Sequence, residues 1–135
     1  MRLISLCLAA GFALAPALAW AADFDGSKPF LCSAVDVASC APGDDCVRET
    51  AASVGAPQFF TVDVAKKTVT EAGSSGTPHF SKIDRVGHQN GLLMLGGSEG
   101  QMTWVATINE ANGKLSYAVL GERTAVVTFG ACLAQ

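Results

Sequence analysis

Four of the five cysteines and both histidines are the residues best suited to nucleophilic, redox or metal chemistry. Downstream of a predicted export signal, Cys32, Cys40 and Cys46 form a C-x7-C-x5-C pattern, and Cys132 lies near the end of the chain. Structural zinc sites usually pair ligands as C-x2–4-C, and c-type haem or thioredoxin-like chemistry needs C-x-x-C. None of these patterns occurs in the sequence. An even number of cysteines in an exported domain instead predicts two disulfides, which leave no reactive thiolate.

The pairing of these cysteines has three possible solutions. Pro42-Gly43 lies between Cys40 and Cys46 and is a strong turn signal, so we favour a bridge between these two. The other bridge would then join Cys32 to Cys132 and tie the start of the domain to its end. In the chain-entropy model the long loop contributes about 4.7 kcal/mol and the short one about 2.4 kcal/mol.

The other candidate groups are scattered along the chain. His79 begins a predicted strand and His88 lies in a glycine-flanked turn, and both are expected at the surface. The sequence contains no G-x-S-x-G, P-loop or H-E-x-x-H motif. Asp44-Asp45 lacks the EF-hand pattern and is more typical of a helix cap. We therefore predict no catalytic residue, no metal site and no cofactor, and we expect that the protein is not an enzyme.

Two aromatic side chains are candidates for a ligand site. Trp104 and Tyr117 fall on the apolar faces of neighbouring predicted strands. A core role is the simpler interpretation. The alternative is that they line an apolar pocket inside a barrel, as ligand sites often do.

Residues 1–22 have the pattern of a cleaved signal peptide. Arg2 precedes an apolar run from Leu3 to Leu14, and small residues recur with A-x-A spacing up to Ala21. The run is short for a membrane span, and Cys7 lies inside it rather than at a lipoprotein position. We predict cleavage after Ala21 or Ala22, a periplasmic or secreted protein, and no transmembrane segment after cleavage.

Residues 23–135 are predicted to form one disulfide-stapled β-domain. One short helix is expected from Asp44 or Asp45 through Val54, ended by Gly55 and Pro57. Beyond it, apolar residues alternate with polar ones in short segments that are separated by turn residues, as in Gln101 to Asn109. Phe80 to Val86 is expected to be one strand with a bulge, followed by a turn at Gly87 to Gly91. No connection is long enough for a βαβ crossover, so the prediction is all-β, an antiparallel meander of about six to seven strands that closes into a barrel or stacks as a sandwich.

Composition narrows the possible functions. The chain has 135 residues, 50% of them hydrophobic and 16% charged, with a net charge of −3. These values are typical of one folded domain, and a basic nucleic-acid-binding surface is not expected. We therefore predict a non-enzymatic periplasmic domain that binds a macromolecular partner, an unknown protein or envelope component. The alternative is a lipocalin-like carrier of a small apolar ligand.

Two resemblances to known groups of proteins rest on structural motifs. The C-x7-C-x5-C segment with Ala56-Pro57-Gln58-Phe59-Phe60, and the C-terminal run from Val126 to Cys132, resemble a set of small exported bacterial β-proteins that are uncharacterised. At the level of the fold, the chain is similar to the periplasmic lysozyme inhibitors, small β-barrels with a cysteine near each end and an S-G-x-x-Y loop. The nearest segment here is Gly113-Lys114-Leu115-Ser116-Tyr117, in a different order. A lysozyme-inhibitor-like protein is accordingly a second alternative.

Overall fold

The structure is a computed structural model, and it describes residues 23–135. The predicted signal peptide, residues 1–22 with Cys7, lies outside the described residues. Between residues 23 and 135 there is no helix long and apolar enough to cross a membrane.

The described chain folds into ten antiparallel strands and one short 3-10 helix. The helix spans Ala52–Val54 and lies between the second and third strands. The strands are β1 (Phe30–Cys40), β2 (Val47–Glu49), β3 (Phe59–Asp63), β4 (Thr68–Glu71), β5 (Phe80–Lys82), β6 (Arg85–Gln89), β7 (Leu92–Glu99), β8 (Met102–Asn109), β9 (Lys114–Leu120) and β10 (Ala125–Ala134).

These strands form one curled sheet, a half-barrel, in the order β5-β4-β3-β1-β10-β9-β8-β7-β6, with β2 paired to the far end of β1. The first long strand therefore pairs with the last one, and Cys32 lies directly opposite Cys132. Between Ala34 and Asp36 the register of β1 shifts, which leaves Val35 as a bulge that is 69% exposed. A bulge of this kind increases the local bend of a strand.

The two ends of the sheet meet at the residues that connect β5 to β6. The backbone N–H of Ile83 donates to the carbonyl oxygen of Lys67, beside β4, at 2.9 Å. The N–H of Asp84 donates to the carbonyl oxygen of Gly96, in β7, at 2.8 Å. One short connection is thus hydrogen-bonded to both ends of the curled sheet.

The core fills the concave side of the sheet. Phe30, Ile83, Leu93 and Ile108 are fully buried there, and Phe24 from the lead-in segment packs edge-on against Phe30. A second, smaller cluster forms where the 3-10 segment covers β1, and it contains Ala34, Val37 and Ala51 with Val54, Ala56 and Val126 packed against it.

The expected helix from Asp44 or Asp45 through Val54 is confirmed only at its end, where the 3-10 helix stops at Val54 and Gly55 follows with φ of 69°; over the preceding residues it is wrong. The Cys40–Cys46 bridge returns the chain beside the end of β1, where Val47–Glu49 pairs as β2. Helical geometry is limited to the 3-10 helix, whose first turn is stabilised by Thr50 Oγ1 accepting a hydrogen bond from the N–H of Ser53 at 3.1 Å. Asp44 and Asp45 are exposed turn residues and cap no helix.

The expected number of six to seven strands is also too low. The segment predicted as one strand from Phe80 to Val86 is divided at Ile83-Asp84, because its first part pairs with β4 and its second part with β7. The predicted turn at Gly87 to Gly91 belongs largely to β6, and the tight turn follows at Asn90 and Gly91, both with positive φ. All-β character and antiparallel pairing are confirmed.

Candidate functional site

The four cysteines form the two bridges that the sequence favoured. Cys32 joins Cys132 across β1 and β10, and both residues are buried at 0% and 4% exposure. Cys40 joins Cys46, six positions later, at the surface. All cysteines of the described chain are therefore disulfide-bonded, so their sulfur atoms stabilise the fold and provide no free thiol.

Trp104 and Tyr117 pack against the core cluster. The indole Nε1–H of Trp104 donates to Ser81 Oγ at 2.8 Å, which links β8 to β5. The Tyr117 ring stands edge-on to Phe60 with centroids 5.8 Å apart. Both rings are half-buried and contact neighbouring side chains, as expected of residues that stabilise the interior.

Both histidines are surface residues paired with carboxylates. His79 Nε2 lies 3.1 Å from Glu99 Oε2, and His88 Nδ1 lies 2.6 Å from Glu110 Oε1. The first pair spans the line along which the sheet ends meet. Within residues 23–135 no group of three or more His, Cys, Asp or Glu side chains could hold a metal ion.

The carboxylate of Asp63 belongs to the β3–β4 turn. It accepts the backbone N–H of Lys66 at 3.0 Å, and this hydrogen bond lowers the pKa of Asp63 below its ordinary value. The Lys66 ammonium, 3.2 Å away, acts in the same direction. Both contacts stabilise the turn and leave this carboxylate with a structural role.

The feature that stands apart is the convex side of β10. Residues of β10 alternate between the two faces, and the residues that point away from the core are Ala125, Val127, Phe129, Ala131 and Leu133. Phe129 is 56% exposed and Leu133 is 70% exposed. A central antiparallel strand with one solvated face usually carries polar residues there, whereas a strand that is apolar on both faces is typical of one covered on both sides.

Neighbouring strands extend this apolar surface. The register places Ala118 and Leu120 of β9 beside β10, Val105 of β8 beyond them, and Leu31 and Ala38 of β1 on the other side. The two positions directly beside Phe129 are polar, Ser116 of β9 and Asp36 of β1. We name these ten residues the outer apolar patch: Leu31, Ala38, Val105, Ala118, Leu120, Ala125, Val127, Phe129, Ala131 and Leu133. Small side chains lie between larger ones, so the surface of the patch is uneven.

Two shallow depressions lie on this uneven surface, and Val127 lines both of them. One, of about 160 Å³, lies between Val127, Phe129 and the Arg48–Asp36 ion pair, whose Nη1–Oδ1 distance is 3.3 Å. The other, of about 220 Å³, lies between Val105, Ala118 and Val127. Both depressions are lined mainly by apolar residues, and the first is also lined by the charged side chains of Asp36 and Arg48.

A single row of residues in register passes both depressions. It crosses seven strands and consists of Arg85, Gly96, Val105, Ala118, Val127, Ala38 and Arg48. Its five inner members are small or apolar, and both end members are arginines. The row is thus apolar in the middle and ends at Arg48 beside β1 and at Arg85 on β6, the strand at one end of the curled sheet.

No family model, curated protein or solved structure matches this chain. The segment nearest to the lysozyme-inhibitor loop, Gly113 to Tyr117, runs from a turn into β9, which is paired on both sides by β8 and β10. A residue inside a paired strand cannot extend into an enzyme cleft as a loop residue does, so this geometry gives the lysozyme-inhibitor hypothesis no support.

The outer apolar patch was not predicted from the sequence, although a signal for it was present. The run from Val126 to Ala134 contains one hydroxyl residue and no charged residue, and it lacks the alternation seen in β8. Such a run indicates a strand covered on both faces. Only the sheet order shows that β10 has a core on one face, while its other face is covered by no element of the described chain.

Proposed function

We propose that this protein is a non-enzymatic exported binding domain that uses the outer apolar patch to dock onto a macromolecular partner or a component of the cell envelope. The observation that carries the proposal is the uncovered apolar face of β10, where Phe129 and Leu133 are more than half exposed. Contiguous apolar surface on a soluble domain commonly marks an interaction site, whereas isolated apolar residues do not.

The arrangement of the patch supports a binding role. Phe129 projects beside the depression formed with the Arg48–Asp36 pair, and Val105 borders the second depression. Binding energy in interfaces is concentrated in a few large side chains next to such pockets. Strand β10 is held between β1 and β9 and by the Cys32–Cys132 bridge, so the patch is rigid before it binds.

The carrier alternative has less support. A lipocalin-like site needs a cavity of a few hundred Å³ lined by apolar side chains. Trp104 and Tyr117, the residues proposed to line it, contact Ser81 and Phe60 inside the sheet. Tyr117 also borders the shallow depression of about 220 Å³.

The proposal predicts position-specific contact in the cell. A photo-crosslinking amino acid in place of Phe129 should form a discrete adduct, with a protein or a lipid, after export and irradiation. The same substitution at Phe80 is the matched control, because Phe80 is 55% exposed on β5, outside the patch. Absence of adducts at position 129, or equal adducts at both positions, would refute the docking role.

A further inference from the structure

The two disulfides differ in how accessible they are from solvent. Cys32 and Cys132 are 0% and 4% exposed and belong to the main core cluster. Cys46 is exposed, Cys40 is half-buried, and every residue from Ala41 to Asp45 between them is exposed. Thiol–disulfide exchange requires a thiolate to reach a sulfur atom, so access is one of the factors that set its rate. While the fold is intact, a reductant is therefore expected to reach the Cys40–Cys46 bridge and not the buried one.

Few other contacts hold the segment that the Cys40–Cys46 bridge returns to β1. In the described chain β2 has three residues and pairs with no strand other than β1. The side chains of the Arg48–Asp36 ion pair are 84% and 55% exposed, and an exposed pair of this kind contributes little stability. The hydrogen bond from Ser39 Oγ to Glu49 Oε1, at 3.4 Å, is long for a hydroxyl donor. Apart from the backbone pairing of three residues, the bridge is thus the main constraint that keeps β2 beside β1.

The chain is anchored again directly after this segment. Ala51 is 2% exposed and packs with Ala34 and Val37 in the smaller core cluster. At the other boundary, Cys40 ends β1, which pairs with β10 up to that residue. Residues 41–50 can therefore separate from β1 while the rest of the sheet stays paired.

From these observations we propose that the Cys40–Cys46 bridge is a thiol–disulfide exchange site, and that its reduction by a dithiol releases β2 from β1. One thiolate of the dithiol attacks the sulfur of Cys46, the more exposed residue, and the bond between the two cysteines breaks with Cys40 as the leaving thiolate. The second thiol of the reductant then attacks the mixed disulfide and displaces Cys46. Two electrons and the two thiol protons pass to Cys40 and Cys46, the dithiol becomes a disulfide, and Cys32–Cys132 stays oxidised.

Release of β2 changes the surface beside Phe129. Arg48 and Asp36 line the depression of about 160 Å³ at this position, so separation of β2 removes Arg48 and takes away the ion-pair partner of Asp36. It also leaves the backbone of β1 at residues 37–39 unpaired on one side. The proposal does not depend on the docking role of the outer apolar patch, because it concerns only the bridge and β2.

Graded reduction of the purified exported protein tests the exchange site. The protein is treated with dithiothreitol at neutral pH without denaturant, free thiols are blocked with iodoacetamide, and peptide mapping identifies the cysteines that have reacted. We expect Cys40 and Cys46 to be alkylated at least about tenfold faster than Cys32 and Cys132, because the buried pair becomes accessible only when the sheet opens. Equal rates for the two pairs, or no reaction of Cys40 and Cys46 before the protein unfolds, would overturn the proposal.

Hydrogen exchange followed by mass spectrometry tests the release of β2. In the partly reduced protein, the peptide that contains Val47–Glu49 should exchange at least about tenfold faster than in the oxidised protein, and peptides from β9 should be unchanged. The variant that combines Cys40→Ser with Cys46→Ser should show the same increase without reductant. As the matched control, dithiothreitol should change nothing further at β2 in this variant.

Two outcomes of the exchange measurement would contradict the release. Unchanged exchange at β2 after the bridge has been reduced would show that backbone pairing alone keeps β2 in place. Faster exchange in β9 as well as in β2 would show that reduction unfolds the domain as a whole instead of releasing one strand.

Discussion

At the scale of single residues, the interior contains one hydroxyl group without a partner. Thr128 is fully buried in β10, in register between Val37 and Tyr117, and its Oγ1 has no hydrogen-bond partner among the described residues. A buried polar group without a hydrogen bond loses the solvation it had in water. Threonine is therefore not the most stabilising residue at this position.

Thr128→Val should raise the free energy of unfolding by about 1 kcal/mol, because it replaces the hydroxyl with a methyl group of similar size. Urea unfolding followed by circular dichroism measures the change. Thr61→Val on the outward face of β3 is the control and should change stability by less than about 0.5 kcal/mol. A loss of stability in Thr128→Val would show that the hydroxyl has a partner, such as a bound water.

At the scale of elements, the two disulfides differ in what they constrain. The Cys32–Cys132 bridge joins residues 100 positions apart on two strands that already pair directly. The Cys40–Cys46 bridge closes a separation of six residues and places β2 beside β1. A longer closed loop removes more conformational freedom from the unfolded chain.

Removing each bridge should therefore have unequal effects. We expect the pair Cys32→Ala and Cys132→Ala to lower the free energy of unfolding by about 4.7 kcal/mol, and the pair Cys40→Ser and Cys46→Ser by about 2.4 kcal/mol. Denaturant titration of both double variants beside the unmodified protein provides the comparison. An equal or reversed order would contradict the chain-entropy explanation and indicate that local contacts of the short bridge dominate.

Some of the strands were predicted from the sequence, and other elements were not. Strand β8 was predicted because the alternation of apolar and polar residues from Gln101 to Asn109 is a local signal. The helix expected near Asp44 failed because β2 depends on pairing with β1, a contact imposed by the disulfide. The division of the segment from Phe80 to Val86 into β5 and β6 was not predicted for a similar reason, since each half pairs with a different strand.

At the scale of the whole molecule, the curl of the sheet depends on a close approach between β5 and β7. Gly97 allows it, because a Cβ atom there would collide with the carbonyl oxygen of Lys82 and with the Trp104 ring. Its neighbour Gly96 has no such conflict, since a Cβ atom added there would lie 3.5 Å from the nearest heavy atom. The two adjacent glycines therefore differ in how they affect the fold.

Gly97→Ala should destabilise the protein by about 1–3 kcal/mol, the usual range for an overpacked interior position. Gly96→Ala is the control and should be close to neutral. Urea unfolding gives the stability, and tryptophan fluorescence reports whether Trp104 has moved. Equal stability of the two variants would show that the sheet ends are not in close contact in solution.

Local signals in the sequence determined that this protein is all-β and antiparallel, and they favoured the two disulfides that the structure contains. Alternation, turn residues and cysteine spacing act over a few neighbouring positions, so they can be read along the chain. Tertiary structure alone decided that β1 pairs with β10, that the sheet ends meet at Ile83-Asp84, and that one face of β10 stays uncovered by the described chain. These features depend on which distant strands become neighbours, and burial is a property of the assembled sheet rather than of any one segment.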